Sequence, residues 1–354
     1  MIHQLTFTRF LAAMVVVLYH YGKTSPLLSG EIMSTLLKYG NSSVSYFFIL
    51  SGFVMIIAYG NRKNKLDKLS YYISRIARIY PIYILALFAV ALIAYQSVTG
   101  LNPQGLLLQS LLVQSWFPAH VMTLNTPGWS LSVEVFFYLL FPLLLGIYNK
   151  FSLKSLCYVI VAFWLVSQIV FTFLLLNPQY GVPAKFLYYA PIMHLNQFLV
   201  GNLIGFLYFR FKKKNYDIPL LLLIVAFPFL LLFVDRNTTN ISFHNGLTAV
   251  YYAPFILLMA LNNGRISSWL SKGVFVILGE ISYGIYILQK PVHSVVRHVG
   301  EALRINDTLI EILFFVVLLG VSYFLYMLIE LPGRQFIKAR YLRWKTKPGN
   351  MVST

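Results

Sequence analysis

The chain has 354 residues, of which 58% are hydrophobic and only 11% charged. An ordinary soluble domain carries about 25% charged residues, so a disordered chain, a coiled coil and a typical soluble enzyme are excluded, and an all-α, polytopic membrane helix bundle is indicated. Lys and Arg number 28 against 10 Asp and Glu, a net charge of +18, but these residues fall between apolar runs, where they set topology rather than bind nucleic acid.

A bilayer core takes roughly 20 apolar residues per helix. The first run, 5–22, begins LTFTRFLAAMVVVLYHY. It lacks a basic leader and a small-residue cleavage site, so it is expected to be a retained span rather than a signal peptide. An ionisable group within lipid costs about 3 kcal/mol and needs a reason. Arg9 and His20 lie eleven residues apart. At 100° per residue they share one helix face, about 16 Å apart along the axis. Either a cation and a proton acceptor are aligned for function, or a snorkelling arginine and a structural histidine sit at two interfaces.

The second run is 42–60 and the third 79–97. The approach to the third reads SRIARIYP, which sets Arg75 and Arg78 three apart on one helical face. Such a pair suits phosphates, which arginine binds bidentately. The alternative is positive-inside topology with anionic lipid headgroups. The stretch 104–116 is too short and polar to cross and reads as an interfacial or re-entrant helix. The fourth run, 130–148, lies in PGWSLSVEVFFYLLFP. Glu134 is the only formally charged residue from Ile79 to Asn149. It is expected at the same depth as His20, where a carboxylate could orient the ring and stabilise its protonated form; otherwise hydroxyls and helix amides satisfy it. Trp129, Ser130 and Ser132 precede it as candidate substrate contacts.

Six further runs follow at 155–176, 192–209, 218–234, 246–262, 274–289 and 309–329. Cys157, the one cysteine, lies inside an apolar run and reads as packing. With the N-terminus placed inside, the inner loops and tail hold twenty of the 28 basic residues, among them Arg62, Lys63, Lys65, Lys68, Arg75, Arg78, Arg334 and Lys347. The outer loops hold seven, Lys23 among them, and Arg9 completes the set. This asymmetry predicts about ten spans with both termini cytoplasmic. The expected division is a transmembrane domain at 1–333 and a basic cytoplasmic tail at 334–354. Neither a phosphate-binding glycine loop nor a metalloprotease helix nor a serine-nucleophile elbow is present, so no metal is expected.

The layout is polarised. Arginines at the inner face suit a phosphate-rich donor, and a histidine towards the outer face suits a general base. This suggests acyl transfer from a cytoplasmic acyl-CoA to a hydroxyl arriving from outside, with His20 taking the hydroxyl proton.

The residues resemble the acyltransferase family 3 of integral membrane O-acyltransferases. The resemblance rests on Arg9 and His20 in the first run; FFILSGFVM at 47–55; Arg75 and Arg78 followed by Tyr80-Pro81; Trp129 to Glu134 in WSLSVE; SYGIYILQKPV at 282–292; and IELPGR at 329–334. It implies a multi-pass protein of the bacterial inner membrane with about ten core spans. It implies acetyl-CoA or another acyl-CoA as donor and a cell-surface or lipid-linked sugar as acceptor. His20 matches the family's proposed catalytic histidine and Glu134 a functionally important acid, while Arg9, Arg75 and Arg78 match arginines tied to donor binding. Ser51 and Gly52 match a motif suited to close helix approach, and Glu330 and Arg334 one expected to be structural. The chain departs from many relatives at Gln289 and Lys290, where a histidine and an aromatic residue precede the proline. No fused extracytoplasmic hydrolase-like domain is expected. The main rival reading is a transporter or flippase for a lipid-linked sugar, since buried charges mark transport pathways too.

Overall fold

A computed structural model describes residues 2–22, 30–60, 66–97, 100–237 and 242–346. Arg62, Lys63, Lys65, Lys23 and Lys347 of the expected charge asymmetry lie outside the described residues. Every named element among the described residues is a helix. In chain order these are α1 (His3–Tyr21), α2 (Glu31–Lys38), α3 (Ser43–Tyr59), α4 (Lys68–Gln96), α5 (Pro103–Ser110), α6 (Trp129–Tyr148), α7 (Leu153–Leu176), α8 (Ala184–Tyr189), α9 (Leu195–Tyr208), α10 (Asp217–Asn237), α11 (Ala249–Leu261), α12 (Arg265–Leu270), α13 (Gly273–Ala302), α14 (Asp307–Leu325) and α15 (Leu331–Lys345). A π-helical turn, Tyr326–Glu330, joins α14 to α15.

Each of the ten expected runs coincides with one of these helices. Among the described residues, six helical stretches are long and apolar enough to cross a membrane, and they include α3, α4, α6, α7, α10 and α14. The ionisable-residue-bearing α1 and α13 are not among them, nor are α9 and α11, which have 14 and 13 residues. The chain is a membrane helical bundle by composition and architecture. The stretch 104–116 is short, as expected: α5 is capped by the Asn102 side chain on Gly105 N, and a 3₁₀ turn follows.

Burial orders the bundle from inside to outside. The apolar stretch of α3 is 72% buried, whereas those of α7 and α10 are 11% buried. So α3 is central and α7 and α10 present apolar side chains outward, as lipid-facing helices must. Small residues let α3 and α9 touch along their backbones. A Cβ on Gly201 would run into the Ile49 carbonyl, and one on Gly52 into the Phe198 carbonyl. Asn202, fully buried, fastens this crossing: its amide donates to Gly52 O at 2.9 Å and accepts from Tyr148 OH at 2.8 Å. Helices α1 and α13 meet as closely where Gly279 lies against the Thr6 backbone. Further along, Tyr21 stacks on His293 with ring centroids 4.1 Å apart, so the two helices run parallel.

The loop 111–128 is held by buried amides rather than by hydrophobic packing alone. Gln114 donates to Gly128 O at 2.8 Å, Asn125 donates to Ile287 O at 3.0 Å, and Tyr83 OH donates to Gln109 O at 2.6 Å. Lys290 adds bonds to Leu124 O and to Thr126 Oγ1. These bonds satisfy polar groups that would otherwise be costly to bury and fix where α6 begins.

At the surface, Asp67 caps α4 by accepting from Ser70 N at 3.1 Å and pairs with Lys345 of α15 at 2.6 Å. The Lys345 ammonium, followed by the Ser70 amide, holds its carboxyl below the usual aspartate range. Its stabilising effect is therefore present above the ordinary aspartate pKa and is lost as pH falls through the depressed value. The pair is 42% exposed on both sides, so solvent screening leaves mainly the cap. Asp67→Ala is expected to lower stability at neutral pH by about 0.5–1 kcal/mol. Thermal melts in detergent should show that difference vanish in strong acid.

Candidate functional site

Six helices close around one elongated cavity of about 500 Å³, within the range of small-molecule sites, about 300–1,000 Å³. Its wall on α3 runs from Phe47 to Ala58, about 16 Å by helical rise. One end is built from Ile2 to Arg9 of α1, Arg75 and Arg78 of α4, Glu280 of α13 and Arg334 of α15. The other end is closed by Phe47, Ser130 and Tyr286, with the Ser130 and Tyr286 hydroxyls 2.8 Å apart.

Charge dominates the first end. Four guanidinium groups line the cavity, those of Arg9, Arg75, Arg78 and Arg334, against two lining carboxylates, Glu134 and Glu280. Arg75 sits among tyrosines: its centre is 5.7 Å from the Tyr138 ring, 5.9 Å from Tyr71 and 6.0 Å from Tyr59. Those distances fall within cation–π range. Its Nη2 also donates to Tyr59 OH at 3.4 Å. Arg334 has two acids nearby, Glu280 at 3.8 Å and Glu330 at 4.0 Å. Among the described residues, Arg9 and Arg78 have no carboxylate within the 4.0 Å of an ion pair. They feel each other and, at longer range, Glu134, Glu280 and Glu330. Guanidinium groups in so sheltered a place call for an anionic ligand.

The site residues read from sequence divide into three groups. Arg9, Arg75, Arg78, Glu134 and Ser130 come together on the cavity wall. Trp129 and Ser132 are buried beside it and do not line it. Trp129 packs on Phe48, Tyr189, His194 and His244, and Ser132 Oγ accepts from Ser115 N at 3.3 Å. His20 stands apart: it is exposed at the far end of α1, against the rings of Tyr19 and Tyr21. The pairing of Thr6 with Gly279 and Tyr21 with His293 sets Tyr286 level with Ala13. His20 therefore lies about 10 Å beyond the closed end of the cavity. Ala13, Val16 and Val17, at the intervening levels of α1, are buried. Glu134 sits one helical turn to the arginine side of Ser130 and on the same cavity wall as Arg9 and Arg78, away from the level of His20.

Two members of the charged end were not among the expected site residues. Glu280 is the only acid in the run 274–289, the same signal that singled out Glu134. Arg334 was seen only as part of a structural motif.

A family model described as an acyltransferase domain matches residues 2–330. Among curated proteins, the acyltransferase MdmB of Streptomyces mycarofaciens is 32% identical over 162 residues, 43% of this chain and 41% of that protein. A Staphylococcus aureus protein provisionally named an O-acetyltransferase is 24% identical over 369 residues, 96% of this chain. An uncharacterized Haemophilus influenzae protein is 27% identical over 243 residues, 60% of this chain and 95% of its own length. The match spans only 58% of the S. aureus protein. No solved structure matches the chain.

Proposed function

The chain belongs to the acyltransferase-3 family, and on that premise we propose that it moves an acyl group, acetyl foremost, from cytoplasmic acyl-CoA to a hydroxyl of a cell-surface or lipid-linked sugar. The one observation that carries the proposal is the convergence of four guanidinium groups on a single elongated cavity, two of them without an ion-pair partner among the described residues. A nucleotide thioester supplies the missing negative charge through its phosphates. Its long neutral arm suits the apolar wall that α3 presents from Phe47 onward.

In this reading the protein is a plasma-membrane protein with ten spans and both termini inside. Arg9, Arg75 and Arg78 hold the donor phosphates from the cytoplasmic side. Glu134 balances Arg9 and Arg78 and keeps them apart until phosphate arrives. Ser130, with Tyr286, borders the passage taken by the arm, and Trp129 and Ser132 fix the start of α6 that carries Ser130 and Glu134. His20 acts on the acceptor side. As the sugar oxygen attacks the thioester carbonyl carbon, the imidazole takes the hydroxyl proton. The carbon–sulfur bond then breaks, and the imidazolium returns the proton to the CoA thiolate. Base assistance of this kind contributes about 10²–10⁴-fold. The thioester reaches His20 only once the layer at Ala13, Val16 and Val17 has parted.

The test has two arms. The purified protein in lipid nanodiscs is expected to bind CoA by calorimetry. In cells, His20→Ala is expected to leave the protein inserted while removing ester groups from the surface glycan, read by mass spectrometry. Absence of CoA binding by the intact protein would favour a transport role. Unchanged ester content in the variant would remove His20 from the mechanism.

A further inference from the structure

The charged end of the cavity holds a carboxylate that the proposed reaction leaves without a task. Glu280 lies on α13 in an otherwise apolar run and faces the same space as the four arginines. Its Oε2 lies 3.8 Å from Arg334 Nη1, and Glu330 Oε1 lies 4.0 Å from the same atom. A charge-assisted hydrogen bond spans about 2.7–2.9 Å. Arg334 is thus attracted by two acids and bonded to neither. Its side chain is 27% exposed and that of Glu280 22%, while Glu330 is 4% exposed. The second oxygen of Glu330 is buried with no hydrogen-bond partner.

The backbone explains how this cluster is reached. Helix α14 does not run straight into α15; the π-helical turn Tyr326–Glu330 comes between them. A π turn is rare and is frequently found at functional sites. Here it turns Glu330 into the interior and brings Arg334, one turn on, to the cavity wall. At 3.8 and 4.0 Å neither acid reaches hydrogen-bonding distance of Arg334.

We propose that Glu280 is a built-in anionic competitor for the donor: it holds Arg334 in the empty cavity and yields it to the donor's phosphates, so that Arg334 is a fourth phosphate-binding group and Glu280 sets donor affinity. The proposal rests on the reading of this cavity as the site for a nucleotide thioester. It has an unusual sign. Removing an acid that is conspicuous in the site improves binding, because phosphate no longer displaces a carboxylate from Arg334 and no longer approaches a second negative charge. The charge at position 280 and the bound phosphate are coupled in the ordinary linkage sense.

The experiment is calorimetric titration of nanodisc-embedded protein with two probes: CoA, and pantetheine, which has the arm without the phosphates. Glu280→Gln is expected to tighten CoA binding by about fivefold or more and to leave pantetheine unchanged. Arg334→Gln is expected to weaken CoA binding by at least as much. Adding Glu280→Gln to Arg334→Gln should then gain much less than it gains alone. If Arg334→Gln fails to insert, Glu280→Gln decides the matter by itself, since it removes no hydrogen bond. CoA binding that is unchanged or weaker in Glu280→Gln, in a protein whose parent binds CoA, overturns the competitor role and leaves the donor site standing. Tightening of CoA and pantetheine alike assigns Glu280 to packing and overturns it too. A parent protein that binds no CoA overturns the donor reading itself, and with it this inference.

Discussion

Arg78→Ala is expected to reduce CoA affinity by about 10–100-fold, the loss of one charge-assisted hydrogen bond worth about 1.5–3 kcal/mol. Arg78 reaches the cavity from α4 and has no ion pair among the described residues. Its replacement thus removes an interaction with the proposed donor and no ion pair that holds the fold. The effect on stability should accordingly run the other way. A sheltered charge without a close partner is a cost to the empty protein, so the variant's melting temperature is expected to stay level or rise. Arg78→Lys should recover part of the binding and not all of it, because an ammonium offers a point charge where phosphate favours a planar fork. Calorimetry with CoA, paired with thermal melts of the same preparations, checks both signs. A variant that melts lower and binds CoA normally would reassign Arg78 to the fold.

Gly201→Val is expected to abolish the folded protein. The α3–α9 crossing is a backbone contact: at Gly201 a Cβ meets the Ile49 carbonyl, which cannot move without moving α3. Separating the helices also breaks the Asn202–Gly52 hydrogen bond, leaving a fully buried amide and a carbonyl unsatisfied. Overpacking of about 1–3 kcal/mol and unsatisfied polar groups of about 1–3 kcal/mol each together approach the whole stability of a typical domain. Gly201→Ala should lose part of this, and a valine at Gly146, where nothing lies near, should lose almost none. Fluorescence-detected size exclusion of membrane extracts gives the readout. Because α3 forms the cavity wall from Phe47 to Ala58, any folded remnant of Gly201→Val should bind CoA poorly.

Charges inside apolar runs were the most legible feature of this sequence. Arg9, Arg78 and Glu134 sit where charge is expensive in lipid, and the fold gathers all three on one cavity. The same rule applied to Glu280 would have found it. Arg334 was harder, because its place follows from a π turn that no local pattern announces. Depth was read less well than identity. Counting residues inward set Glu134 level with His20, but packing of α1 on α13 and α6 on the loop 111–128 fixes the true levels, and these are long-range contacts. Trp129 and Ser132 show the same limit: their partners, His244 and Ser115, lie far away in sequence or on another turn. The short helices α9 and α11 were legible as apolar runs. Their lengths, 14 and 13 residues, were not.

Under the proposed function, the buried aliphatic residues Ala13, Val16 and Val17, between the levels of the cavity and His20, have a consequence for the cell as a whole. A vestibule full of arginines opening straight through to the far face would be a leak, dissipating the ion gradients that drive the membrane's other work. A dry partition of small and branched side chains excludes hydrated ions and protons by their solvation energy. A slender uncharged arm bearing an acyl thioester meets a smaller penalty than a charge does. If the proposed donor binds here, the same few side chains keep the membrane electrically tight and sort the cargo, passing the donor's neutral end while its phosphates stay behind.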